Sequence, residues 1–257
     1  IEKLPDVETY VVSLRIMALL KVEEITGKQR YARQIAASVR WLEAGQSKLG
    51  SWGYDHRWKA LDPEGRSSTD HSNTQFALLA LYEASRAGYK VQEITWKRAQ
   101  ENFLRTQLKD GSWNYGWRIG NIEGMPGYGS MTAAGVASLH ITGARLHEGA
   151  DYACGSADRQ KLAGRYLQSV PVARGLAWLE KNYSVDGHPG RPANDWHFYY
   201  LYALERVGII TGMQKIGGHD WFREGAAMLI RRQRPDGSFR RGKDGGAIAH
   251  EYDTALA

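Results

Sequence analysis

The chain has 257 residues, 42% hydrophobic and 24% charged, a composition that excludes a disordered chain and is enough for one large core or two smaller ones. Its formal net charge of +6 is scattered except in "RRQRPDGSFRRGK", Arg231 to Lys243, which reads as a solvated loop rather than a nucleic-acid patch. The lone Cys154 excludes an internal disulfide and a cysteine-based zinc cluster, and no apolar run reaches the roughly 20 residues that cross a bilayer. In chain order, the predicted elements are all helical. "VETYVVSLRIMALLKVEEITG" opens the chain and is apolar nearly all round, whereas "YARQIAASVRWLEAGQ" has a charged face. The two types then alternate. The apolar type returns in "HSNTQFALLALYEASRAG", "SMTAAGVASLHITG", "NDWHFYYLYALERVG" and the start of "HEYDTALA". No strand alternation is found, so the expected class is all-α, with inner helices buried on most sides and outer helices with one wet face. The chain starts at Ile1 rather than Met and stops inside "YDTALA", which reads as a processed or excised piece, so compartment and oligomeric state stay open.

A short motif recurs at the end of the outer helices. "WLEAGQSKLGSW" (Trp41 to Trp52) and "MLIRRQRPDGSF" (Met228 to Phe239) share one spacing, and "NFLRTQLKDGSW" (Asn102 to Trp113) keeps the Gln and the Gly-Ser-Trp. "WLEKNYSVDGHP" (Trp178 to Pro189) is a decayed copy without the Gln and the final aromatic. Each motif glycine is expected to supply the left-handed residue that ends an outer helix, with the next aromatic folded back over the helix end. Trp52, Trp113 and Phe239 are expected to be structural, because their spacing repeats. Gln46, Gln107 and Gln233 are expected to tie helix ends to neighbouring segments. The motif glycines Gly50, Gly111, Gly187 and Gly237 stand 61, 76 and 50 residues apart, more than a helix pair needs, and the surplus falls at Gly53–Asp70, Asn114–Ser130 and Arg145–Pro171. Long loops on a repeat scaffold are candidate carriers of function.

The spacing aromatic-Leu-x3-Gln-x3-Gly-x-Trp resembles the QW-type repeat of squalene-hopene cyclases and the related repeat of protein prenyltransferase β subunits, over roughly Thr9 to the end. The resemblance implies a single α/α toroid domain, residues 1–257, with a substrate cavity at the inner-helix N-termini. Family rings have about six hairpins. About four and a half are present here, so an incomplete ring or a fragment is expected. It further implies an elongated apolar, isoprenoid-like ligand. Squalene-type cyclases protonate an alkene with an Asp-x-Asp-Asp motif, whose crowded carboxylates keep one carboxyl protonated and acidic. That motif is absent here, and the nearest candidates are "STDHSN", "ANDWHF" and "AHEYDT". The β subunits hold zinc with Asp-x-Cys at one inner-helix start and His at the next. Here His197 stands where the cysteine would be and Asp253 where the histidine would be, which puts thiolate activation in doubt.

Asp195, His197 and Asp253 are therefore the candidate catalytic residues, expected to converge at one end of the cavity as a polar set able to hold a divalent metal or move a proton. Asp195 at a helix cap and His197 in the first turn could point to one place. Asp70, His71, Asn73, Trp196, Tyr199, His250 and Glu251 are candidate ligand-binding residues at inner-helix starts. The structural alternatives are open beside these: Asp70 and Asp195 as N-caps, the histidines as hydrogen-bonded core residues, and the aromatic side chains as helix packing. Two functional classes follow, an enzyme-like toroid binding an apolar ligand and a non-catalytic toroid binding a peptide, glycan or lipid.

Overall fold

A computed structural model describes residues 8–60, 62, 64, 68–116, 125–147, 169–191 and 196–239. Among them are eight α-helices and no strand: α1 (Thr9–Thr26), α2 (Ala32–Gly45), α3 (His71–Arg86), α4 (Glu93–Thr106), α5 (Gly129–Leu146), α6 (Val170–Lys181), α7 (His197–Thr211) and α8 (Trp221–Arg232). No described helix is long and apolar enough to cross a membrane. The chain divides into two compact units, one of Ile1–Thr106, Tyr115–Ile122 and Ile141–Asp158, the other of Gln107–Asn114, Glu123–His140 and Arg159–Ala257.

In the first unit α1 packs most extensively on α3, and α2 lies against both. The burial pattern follows the two kinds of helix in the sequence. In α3, twelve of 16 residues are buried, from His71 without a break to Leu81 and again at Ala84. In α2, only Ile35, Ser38, Val39, Leu42 and Gly45 are buried, spaced to form one stripe along the helix. In the second unit Gly175 of α6 sits against Val136 of α5, Gly129 of α5 against the ring of Tyr200 in α7, and Gly208 of α7 against Trp221 of α8. The absence of a Cβ at each of these glycines lets a helix approach the neighbouring side chain closely.

The recurring motif is a hydrogen-bonded latch. Gln46 Nε2 donates to Gly50 O at 3.4 Å and to Thr95 O, at the start of α4, at 2.9 Å. Gln107 Nε2 repeats this with Gly111 O at 2.9 Å and Pro171 O, at the start of α6, at 2.8 Å. One amide therefore closes its own turn and holds the first turn of the next outer helix. Gln233 makes the same turn-closing bond to Gly237 O at 3.1 Å. Trp52 and Trp113 are wholly buried and Phe239 nearly so, as expected of structural residues. Trp52 Nε1–H donates to Leu42 O at 2.7 Å, satisfying a carbonyl in the last turn of α2.

The motif glycines differ from expectation. The chain leaves helical geometry at the glutamine: Gln46 and Gln233 are extended (φ −67°, ψ 135° and φ −63°, ψ 133°). Gly50 and Gly111 are left-handed (φ 87° and 91°), but they sit in the turn beyond the helix. There a Cβ would fall 1.9 Å from Arg98 O and 2.6 Å from Arg174 O, so glycine is needed for close approach to the next outer helix as well as for its backbone angle. In the decayed copy the left-handed glycine is Gly190 instead of Gly187, and Ser184 Oγ accepts the Asp186 and Gly187 N–H groups.

Candidate functional site

Three inner helices, α1, α3 and α5, begin on the carbonyl of a residue at or just past the end of a motif. Thr9 N–H donates to Tyr54 O at 2.7 Å, His71 N–H to Tyr115 O at 2.8 Å and Gly129 N–H to Pro189 O at 2.8 Å. Thr74 Oγ1, one turn into α3, accepts Trp52 N–H at 3.0 Å, and Thr132 Oγ1 accepts Trp113 N–H at 3.3 Å in α5. The latches thus place residues past the motifs, Tyr54 and Tyr115 among them, at inner-helix starts.

At the start of α3 this gives a compact polar cluster. Asp70 is the N-cap: its Oδ1 accepts Asn73 N–H and the Ser72 hydroxyl, each at 2.8 Å, and its Oδ2 accepts Asn73 Nδ2–H at 2.8 Å. In "DHSN", the first, third and fourth side chains therefore converge, and only the first is an acid. Tyr10 of α1 donates its hydroxyl to Ser72 Oγ at 2.7 Å. The Tyr115 hydroxyl lies 2.9 Å from that of Tyr54. The Tyr10 ring packs on Phe76, with centroids 4.7 Å apart, and on Tyr54 at 5.9 Å. Asp70, Ser72 and Asn73 are buried, whereas Tyr54 and Tyr115 reach the surface at 54% and 38% exposure.

Electrostatics follow from that burial. Loss of water raises the Asp70 carboxyl above its ordinary value, outweighing the three donors that favour its charged form. Burial, and then the Asp70 charge, push the Tyr115 phenol up. His71, next in sequence, turns to α4. Its Nε2 lies 2.9 Å from Thr106 Oγ1 and its ring stacks on Phe103 at 5.0 Å. Thr106 donates its own proton to Asn102 O at 2.8 Å, so His71 Nε2–H is the donor in that bond. Asp70 is thus a helix cap and also the centre of a hydrogen-bonded group, whereas His71 packs as a core histidine.

His197 begins α7, as His71 begins α3, and also bonds the residue just before a motif glutamine, but as an acceptor at Nδ1 where His71 donates from Nε2. Its Nε2 lies 3.0 Å from Val185 O and its Nδ1 3.2 Å from Arg232 Nη1. These partners fix a neutral ring that donates from Nε2 and accepts at Nδ1. Burial, and then the Arg232 charge, hold His197 down to about 4. The N-cap of α7 is Trp196, left-handed at φ 59° and about half exposed, so the cap is one residue later than the sequence suggested for Asp195. Tyr199 lies in the first turn of α7, half-buried. Asp195, His250, Glu251 and Asp253 lie outside the described residues. Among the described residues no three His, Cys, Asp or Glu side chains form a metal-binding group.

Sequence reasoning singled out Asp70 and Asn73 and missed Tyr10, Ser72, Tyr54 and Tyr115. The signal for the last two was there, since each follows a motif tryptophan by two residues; Tyr10 had none. A family model, the squalene-hopene cyclase C-terminal domain, matches residues 9–132. The matched segment runs from the first residue of α1 to Thr132, the hydroxyl that accepts Trp113 N–H, and so contains the whole α3 cluster. No curated protein matches the chain.

Proposed function

We propose that this squalene-hopene cyclase-like chain binds an elongated apolar, isoprenoid-like ligand, one end of which rests on the rings at the start of α3. The supporting observation is the grouping of Tyr10, Tyr54, Phe76 and Tyr115 around the Asp70–Ser72–Asn73 core, with two of the four rings open to solvent. Aromatic faces offer large apolar area with little flexibility, which suits a ligand without polar anchors. Strong-acid alkene chemistry gains no support from these residues: an Asp-x-Asp-Asp motif works by crowding carboxylates, whereas Ser72 and Asn73 are neutral. Asp195, His197 and Asp253 are retained as a proposed second polar set, in which the His197 imidazole would have to release Arg232 to free its Nδ1 lone pair.

The test is a fluorescence titration with farnesol, with dodecanol as a straight-chain control. Saturable farnesol binding is expected, about tenfold weaker in Tyr54→Ala, which is about 1.4 kcal/mol and corresponds to the loss of roughly 60 Å² of ring contact. No saturable binding, or equal affinity in Tyr54→Ala, would overturn the proposal.

A further inference from the structure

The first two latches are filled and the last is open. A filled latch is made at three places on the arriving outer helix, which fall 12, 9 and 5 positions before that helix's own closing glutamine or its replacement Tyr183. The first place gives a carbonyl to the latch glutamine, Thr95 to Gln46 and Pro171 to Gln107. The second lays its carbonyl on the motif glycine, Arg98 on Gly50 and Arg174 on Gly111, so that a Cβ there would fall 1.9 Å and 2.6 Å away. The third gives a side-chain N–H to the residue before that glycine: Asn102 Nδ2–H donates to Leu49 O at 2.9 Å, and Trp178 Nε1–H to Asp110 Oδ2 at 3.1 Å. At Gln233 only the turn-closing bond is made. Gly237 is left-handed at φ 80°, yet no described atom lies within 4 Å of a Cβ there. Its turn nevertheless has the filled shape. Asp236 Oδ1 accepts Ser238 N–H at 3.0 Å and its hydroxyl at 2.6 Å, the same lengths as between Asp110 and Ser112. Ile230, three residues before Gln233, is 76% exposed, whereas Glu43 at the same step accepts Gln92 N–H at the start of α4.

We propose that the open latch takes α2 of a second copy of this chain, so that copies join head to tail. Counted back from Gln46, the three places in α2 are Gln34, Ala37 and Trp41. Among the described residues no motif glutamine bonds the first turn of α2. Ala37 is exposed. Trp41 is half-buried and stacked on His56 at 3.8 Å, and its indole N–H has no acceptor among the described residues. Tryptophan is also what makes the third contact in the second latch, and the residue it would meet, Asp236, is again an aspartate. When docked, Gln34 O accepts Gln233 Nε2–H, the Ala37 carbonyl lies on Gly237, and Trp41 Nε1–H donates to the Asp236 carboxylate. α8 is the contrast. It follows the decayed motif, which has no glutamine, and its third place is Met228, wholly buried and without a donor. So α2 keeps the surface of a latched helix and α8 does not. Basic residues on the two faces do not oppose docking, because in the filled latches Arg105 and Arg174 donate to motif carbonyls beside Lys48 and Lys109. The two surfaces differ, so the contact is heterologous: each added copy brings another open latch, and growth stops only if a ring closes.

Sedimentation velocity on the ligand-free chain tests this. One helix on one turn is a small interface, so association is expected between roughly 10 and 500 µM. Over that range the mean mass should rise from the 28.8 kDa of one chain past twice that value. Gly237→Ala puts a methyl group where the arriving carbonyl must lie, in space that the copy's own described atoms leave open. It should self-associate about tenfold more weakly or less. It still offers α2, so in excess it should cap the parent and hold the mixture at dimers. Gln233→Ala serves if Gly237→Ala does not fold. Trp41→Phe, which keeps a ring on His56 and removes the indole hydrogen, should weaken association from the other face. A parent that stays at 28.8 kDa throughout, or a folded Gly237→Ala that associates as the parent does, overturns the proposal. A dimer that does not grow would mean a two-fold contact and would overturn it as well. Failure of farnesol to bind would overturn only the ligand site.

Discussion

Replacing Trp113 with alanine separates a structural motif from a binding motif. The Trp113 side chain is wholly buried, and its walls are unusually rigid. A Cβ at Gly135 of α5 would lie 2.4 Å from the ring, and one at Gly175 of α6 would lie 3.0 Å from it, so two helix backbones face the indole with no side chains to fill the space it leaves. An indole buries up to about 250 Å², which at about 25 cal/mol per Å² bounds the apolar contribution near 6 kcal/mol. Large aromatic-to-alanine changes cost about 3–5 kcal/mol, and rigid glycine walls place this one in the upper half of that range, because the cavity cannot collapse. For a chain of this size that is a fall in Tm of roughly 10–15 °C, readable by far-UV circular dichroism. The fraction that remains folded should bind farnesol as the parent does. A Trp113→Ala protein of parental Tm that has lost farnesol binding would refute the structural assignment.

Three further outcomes follow from the same geometry. Gly50→Ala should destabilise far more than Gly237→Ala: both glycines are left-handed, but a Cβ at Gly50 meets Arg98 O at 1.9 Å while none of the described atoms lies within 4 Å of one at Gly237, which leaves mainly the backbone cost of about 1–2 kcal/mol; similar urea midpoints would count against the latch. His197 and His140 are held down to about 4 in the folded protein, chiefly by burial, against about 6.5 when unfolded. Their contribution is therefore complete above pH 6.5 and falls away between 6.5 and about 4, by up to roughly 3 kcal/mol each, and the loss of urea midpoint from pH 7.5 to 4.5 should shrink in His197→Gln; an unchanged loss would contradict the neutral imidazole. Asp70→Asn keeps a side-chain oxygen to cap Asn73 N–H, whereas Asp70→Ala removes it and should cost about 1 kcal/mol in thermal or urea unfolding; equal losses in both would argue against Asp70 as the cap.

The helical class and the two kinds of helix were legible because they rest on periodicity: the near-continuous apolar run of α3 and the stripe of α2 need no tertiary information. The latch glutamines were legible from spacing alone. The left-handed glycines were visible but were placed at the wrong step, since nothing local shows that the chain turns extended at Gln46 before it reaches Gly50. The α3 cluster was half legible. Asp70 and Asn73 stand in one tetrapeptide, but Tyr10 comes from a helix more than 60 residues earlier, and no local pattern links the two. For His197 the residue was seen and its partners were not: Val185 and Arg232 belong to segments on either side of α7, brought to the ring only by packing.

The latch also bears on how such a chain can change its length. Gln46 reaches only the start of α4, and Gln107 only the start of α6. Couplings of this kind are nearest-neighbour, so the free energy of one hairpin depends on the hairpin beside it and not on how much chain separates them. The first two latch glycines stand 61 positions apart, and the same turn-closing glutamine bond is made at both. Sequence inserted between latches is then close to neutral for the scaffold, and a mutation that breaks one latch should loosen one junction and leave the others closed. The repeat thereby separates two kinds of inheritance: the latches must be copied faithfully, while the intervening segments can lengthen, shorten or be exchanged.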